Sequence, residues 1–168
     1  MRRAAIVSAV CLSFVCALLL SLDLLFPPDL TRVEDLSREI FDRQGKLLKV
    51  YLAQDDRWRM KTSVNDVPPF YLKGLLAFED RRFHYHPGVD PFALARAITQ
   101  TITHGRVISG ASTITMQTVR LLVRRPSTLM SKLTQMIRAL QLEWRYSKED
   151  ILGLYLTLAP FGGNIEGV

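Results

Sequence analysis

Apolar and polar positions divide the chain into stretches of different period. Between residues 4 and 26 Asp23 is the sole charged side chain, and Arg2 and Arg3 stand directly before the run. A run of that length can cross a bilayer core, and the flanking cations favour a cytoplasmic start. It exceeds the ~7 to 15 residue core of a cleaved leader and shows no clear small-x-small cleavage site. We therefore read an uncleaved anchor, with everything after Pro27 outside the cytoplasm. A short β pattern follows: Glu39-Ile40-Phe41-Asp42, a turn at Arg43-Gln44-Gly45, then Lys46-Leu47-Leu48-Lys49-Val50-Tyr51. It predicts a hairpin at the edge of the domain.

From Pro68 onward the apolar spacing becomes helical and predicts helices over 70–78, 91–103, 113–123, 129–145 and 148–156. Local signals mark several starts. Pro91 suits a first helical turn, Ser112 can cap the helix that follows Gly110, and Ser147 with Asp150 forms a capping-box-like pair. The glycine-bearing loop 104–110 is expected to be mobile. The pattern predicts a mainly α fold with a small N-terminal β-hairpin, preceded by one transmembrane helix. Its parts are a cytoplasmic tip (1–3), the anchor (4–26), a linker and hairpin region (27–66) and a helical domain (67–168).

Composition narrows this. At 168 residues, 48% hydrophobic and 23% charged, the chain has room for the anchor and one modest globular domain of roughly 130 residues. Cys11 and Cys16 both fall in the apolar run, which leaves the exported part without a disulfide framework or a cysteine-based metal site. The net charge of +6 is concentrated in Arg106, Arg120, Arg124, Arg125, Lys132, Arg138 and Arg145, a belt that contains Glu143 as its one acid. Such a belt suits anionic lipid head groups or a phosphorylated substrate. Export and the lack of a groove-reading motif argue against nucleic acid as a partner.

The candidate chemistry centres on residues 79–90, where Glu79, Asp80 and Asp90 surround Phe83, His84, His86 and a Pro87-Gly88 turn. Glu79 sits near the end of a predicted helix, where the chain leaves regular structure and can line a cleft, so it is the candidate base. A second group, Gly110-Ala111-Ser112-Thr113-Ile114-Thr115-Met116-Gln117, places hydroxyls and an amide at a helix start. This could bind a phosphate or sugar, although the same residues are an ordinary capping sequence. Lys132 lies on the 129–145 helix with Arg138 and Arg145, where a solvated face is the plain alternative.

Taken in order, these segments resemble the glycosyltransferase family 51 patterns. Glu79, Asp80, Phe83, His86, Gly88 and Asp90 match E-D-x-x-F-x-x-H-x-G-x-D. Gly110, Ser112, Thr113, Ile114 and Gln117 match G-x-S-T-I-x-Q-Q, with Met116 replacing a glutamine. Lys132 alone matches R-K-x-x-E, since Ser131 and Gln135 stand at its arginine and glutamate. Lys148, Ile151, Leu152, Tyr155 and Leu156 match K-x-x-I-L-x-x-Y-L-N, with Thr157 at the asparagine. The stretch from Ala159 to Val168 is similar to the start of a fifth pattern.

The resemblance implies a lysozyme-like glycosyltransferase domain that polymerises lipid II into glycan strands with inversion. It implies lipid II and the growing glycan chain as partners, and a single-pass protein of the bacterial inner membrane whose catalytic domain faces the periplasm or exterior. Glu79 would deprotonate the acceptor 4-hydroxyl, and Lys132 would neutralise the departing polyprenyl pyrophosphate, with Arg138 a further cation chosen on charge and helical spacing. Ser112, Thr113 and Gln117 would bind donor phosphate or sugar. Asp80, Phe83, His86, Gly88 and Asp90 would support the loop. Gln135, where the family has an acid, cannot ionise. No metal ligands and no cofactor are evident, although the resemblance leaves room for a divalent cation.

Family members continue beyond the fifth pattern, and no serine transpeptidase motif occurs here, so we expect a fragment or truncated product with apolar core faces left exposed. The alternatives are a catalytically inactive membrane-anchored partner of other cell-wall synthesis proteins, or a lysozyme-like lytic enzyme. The lytic reading leaves the basic belt unexplained.

Overall fold

The computed structural model describes residues 23–106, 110–123 and 128–167, together with residues 10, 13, 14, 17, 20 and 21. Among these no helix is long and apolar enough to cross a membrane. The expected anchor over 4–26, with Cys11 and Cys16, lies largely outside the described residues, as do 107–109 of the loop and Arg124 and Arg125 of the belt.

The hairpin forms as β1 (Arg38–Phe41) and β2 (Leu47–Tyr51), paired antiparallel with Glu39 opposite Val50. Its turn is closed by Asp42, whose Oδ1 accepts the N–H groups of Gln44 at 2.9 Å and Lys46 at 2.8 Å, an arrangement that keeps Lys46 out of the strand. A one-turn helix, α1 (Thr31–Glu34), precedes it. The helical body comprises α2 (Pro69–Glu79), α3 (Pro91–His104), α4 (Ile114–Val123), α5 (Leu129–Arg145) and α6 (Lys148–Leu158). The fold is thus mainly helical with small sheets.

Helix α4 packs between α5 and α6, so the core gathers around Ile114, Met116, Val119, Leu142, Ile151 and Leu156. Its buried threonines are both satisfied: Thr118 Oγ1 donates to the Ile114 carbonyl at 2.9 Å within the helix, and Thr115 Oγ1 to Glu143 Oε1 of α5 at 2.6 Å. Asp90 accepts from the N–H groups of Phe92 and Ala93 ahead of Pro91, and Ser147 and Asp150 form a reciprocal capping box. One cap differs from the sequence expectation. Thr113, not Ser112, caps α4: its Oγ1 accepts the Met116 N–H at 3.1 Å. The helix begins one residue later than predicted because the Asp80 carboxylate takes up the Ile114 N–H at 3.0 Å, and this frees Ser112 for another partner.

A second sheet, in the order β3 (Trp58–Arg59), β5 (Ile165–Glu166), β4 (Pro160–Gly162), has no counterpart in the sequence reading. Strands of two or three residues are too short to display a period. Arg59 fastens this sheet. Fully buried, it donates to Glu166 Oε2 and Asp55 Oδ2, each at 2.7 Å, and to the Asp35 carbonyl at 2.6 Å.

Gly88 illustrates how tightly the 79–90 loop is pressed onto α5. Its φ is +92°, and a Cβ there would meet the Ala139 carbonyl oxygen at 2.7 Å. Both the backbone conformation and the close approach therefore demand glycine. Gly88→Ala should destabilise the fold by about 2–4 kcal/mol, read from the urea midpoint at constant slope. An unchanged midpoint would show that the loop does not dock on α5.

Candidate functional site

Glu79 ends α2, and the next residue leaves the helix, with the Asp80 N–H closing on the Leu76 carbonyl at 3.0 Å. The Glu79 side chain is half-buried, and its Oε2 accepts from Gln117 Nε2 at 2.8 Å, a contact between residues 38 apart in the chain. Glu79 lines a cavity of about 360 Å³ together with Arg82, Arg96, Ser112 and Thr113. On the far side of Ser112, Lys132 Nζ donates to the serine Oγ at 2.6 Å, with Gln135 Oε1 at 3.5 Å. Burial holds the Lys132 ammonium below the ordinary lysine value, and the Arg120 guanidinium adds to that effect. Glu79, Ser112 and Thr113 thereby line one opening, with Gln117 bonded to Glu79 and Lys132 to Ser112.

Arg120, which the sequence marks only as part of the basic belt, acts on Lys132 electrostatically from the neighbouring cavity. It lies one helical turn beyond Gln117 on α4, so its spacing was the available signal. Tyr155, buried on α6, is also close: burial pushes its phenol up, and the Glu79 carboxylate pushes in the same direction.

The remaining loop residues brace this opening. Asp80 is buried and binds His86 Nε2 at 3.0 Å as well as the start of α4. Since the Gly88 N–H donates to His86 Nδ1 at 3.2 Å, the imidazole carries its proton on Nε2. Both ring nitrogens are thus occupied within the loop. Phe83 is buried beneath the Lys148 ammonium, 4.5 Å from the ring centre, and that ammonium also donates to the His86 carbonyl at 2.6 Å. Thr113 Oγ1 donates to the Gly88 carbonyl at 2.5 Å, which ties the loop to α4.

Asp90 is gripped by Arg82, with Nε and Nη2 each at 2.9 Å from its oxygens. Burial pushes the Asp90 carboxyl up, but the Ala93 N–H and the Arg82 guanidinium outweigh it, and the group ends below its ordinary value of 3.8. A depressed acid contributes stability above its unfolded value and loses it as pH falls through the folded one. Asp90→Asn should therefore cost stability at neutral pH, and the gap to wild type should narrow as pH drops below about 4 in urea titrations. A gap independent of pH would show that the charge of Asp90 contributes nothing.

Arg138 does not line the cavity that holds Glu79. It donates to Gln141 Oε1 at 2.6 Å and to the Phe26 carbonyl, and it lines a smaller cavity of about 160 Å³ together with Arg120 and Gln135. Arg145, one heptad further along α5, pairs with Asp23 at 2.7 Å. Among the described residues no group of three or more His, Cys, Asp or Glu could hold a metal ion.

The Transglycosylase family matches residues 44–168. The chain is 48% identical over 146 residues to penicillin-binding protein 1C of Escherichia coli K12, covering 87% of this chain and 19% of that protein. It is 33% identical over 146 residues to penicillin-binding protein 1A of the same organism, covering 84% and 17%. To penicillin-binding protein 1B of Haemophilus influenzae it is 34% identical over 140 residues, covering 80% and 18%. The chain spans about a fifth of the length of these relatives. With the family pattern running through the loop, the α4 start and α6 that frame Glu79, this chain belongs to the transglycosylase family, the family 51 glycosyltransferases.

Proposed function

We propose that the chain is a peptidoglycan glycosyltransferase unit that polymerises lipid II. The observation that carries this reading is the placement of one half-buried carboxylate, Glu79, in a cavity whose wall at Ser112 is bonded directly to the Lys132 ammonium. Glu79 removes the proton from the acceptor 4-hydroxyl as that oxygen attacks the donor's anomeric carbon, and the bond to the polyprenyl pyrophosphate breaks with inversion. The negative charge that develops on the diphosphate falls to Lys132 and Arg120. Arg138, which shares the neighbouring cavity with Arg120, is the outer cation. Ser112, Thr113 and Gln117 orient donor and base, and Asp80, Phe83, His86, Gly88 and Asp90 hold the loop.

The helical body corresponds, on this reading, to the family's lysozyme-like domain over 67–168, with 27–66 as linker and hairpin. The apolar segment 4–26 tethers it in the inner membrane, where a lipid-tailed substrate is confined and its effective concentration rises. Phe78, Phe92 and Ile102 are large apolar side chains left 89%, 71% and 77% exposed, which suits a bilayer surface better than open water.

The decisive experiment supplies the chain in detergent with labelled lipid II and, separately, with polymeric peptidoglycan. Glycan chains formed from lipid II, with no fragments released from the polymer, are expected. Release without polymerisation would make it a lytic enzyme, and lipid II binding without turnover a non-catalytic partner.

A further inference from the structure

The charge balance around Lys132 is unusual for a cation removed from water. A partly buried ammonium normally faces a carboxylate, because desolvation without a counter-charge is costly. Here its described partners are a hydroxyl and an amide, Ser112 Oγ and Gln135 Oε1, and the charged side chain that acts on it is another cation, Arg120. Gln135 is itself buried at 7% exposure and lines the smaller cavity of about 160 Å³ with Arg120.

The acids of the neighbouring loop are already engaged. Asp80 binds His86 and the Ile114 N–H, Asp90 binds Arg82 and two backbone N–H groups, and Glu79, bonded to Gln117, is the base of the proposed reaction. A hard divalent cation bridging a diphosphate takes one or more carboxylate ligands from the protein. The donors around Lys132 do not fit such an ion.

We propose that Gln135 is a specificity-determining residue: by presenting a neutral amide beside Lys132 it leaves that ammonium without a counter-charge, so the diphosphate leaving group is held by side-chain cations without a bridging divalent cation. The inference rests on the proposed function for the identity of the leaving group, but the charge argument is independent of turnover. A glutamate at the same position would pair with Lys132, cancel much of its field and supply the missing carboxylate. The natural residue thus decides between two ways of neutralising the same anion.

The test is calorimetric titration of inorganic pyrophosphate into the full chain in detergent, in EDTA and in magnesium, for wild type, Gln135→Glu and Gln135→Met, each checked for an unaltered circular dichroism spectrum. Wild type should bind in EDTA with affinity unchanged by magnesium. Gln135→Glu should bind about tenfold more weakly or worse in EDTA and recover in magnesium. Gln135→Met, neutral and of similar volume, should stay within a few-fold of wild type. Loss of wild-type binding in EDTA, an unchanged Gln135→Glu, or a Gln135→Met as weak as Gln135→Glu would each overturn the proposal. If pyrophosphate binds as expected while lipid II is not polymerised, the proposed function fails and the charge assignment stands.

Discussion

Glu79→Gln should reduce lipid II polymerisation by about 10²- to 10⁴-fold while the protein stays folded. The reaction needs a base within reach of the acceptor hydroxyl, and no other carboxylate in the cavity is free to serve: Asp80 and Asp90 are both buried and bonded within the loop. The substitution is nearly isosteric, and the new amide oxygen can still accept from Gln117, whose Nε2 lies 2.8 Å from Oε2 in the wild type. Loss of rate would then report loss of the proton acceptor and little else. The measurement is single-turnover consumption of labelled lipid II beside a thermal melt. A rate within about threefold of wild type, with an unshifted melt, removes Glu79 from the chemistry.

Lys132→Ala should lower the same rate by about 10²- to 10³-fold, the scale seen when one preorganised charge or donor is taken from a site of developing negative charge. The effect should appear in kcat more than in KM, because charge on the diphosphate grows as the glycosidic bond breaks. A pH signature accompanies it. Burial, and then Arg120, hold the Lys132 ammonium below the ordinary lysine value of 10.5. The cation is therefore lost as pH rises through that depressed value, so the alkaline limb of the rate profile should fall earlier than an exposed lysine would dictate. Arg120→Ala removes one of the two causes, and the limb should move to higher pH even as the overall rate drops. A limb that stays in place in Arg120→Ala would show that Lys132 is not the titrating cation.

Much of the fold was legible because local physics shows in local pattern. The helix over 129–145 has its expected bounds since Thr128 and Ser131 form a reciprocal capping box and the apolar stripe is continuous. The hairpin was legible because Asp42 and Gly45 carry the turn within a few residues. The β3-β5-β4 sheet was not, since its strands are too short for a period and its fastening, Arg59 to Glu166, joins residues 107 apart.

The site divides along the same line. Glu79 was identifiable as a candidate carboxylate at a helix end, Ser112 as a cap residue, and Thr113, Gln117 and Lys132 as polar or charged residues on predicted helices. Arg138 was grouped with Lys132 by charge, but six residues on a helix turn them about 120° apart around the axis. Arg138, Gln141 and Arg145 therefore form a separate stripe that meets Phe26 and Asp23.

By itself the sequence determined the apolar run, the helical periods, the uneven charge and the residue types that could act as base and cation, because each is a property of neighbours in the chain. Only the tertiary structure decided that Lys132 bonds to Ser112 at the cavity wall, that Thr113 and not Ser112 caps α4, and that Gln135 leaves Lys132 without a counter-charge. Those outcomes depend on which faces of α2, α4 and α5 converge, and convergence is set by packing around Ile114, Leu142 and Ile151, residues far apart in the chain.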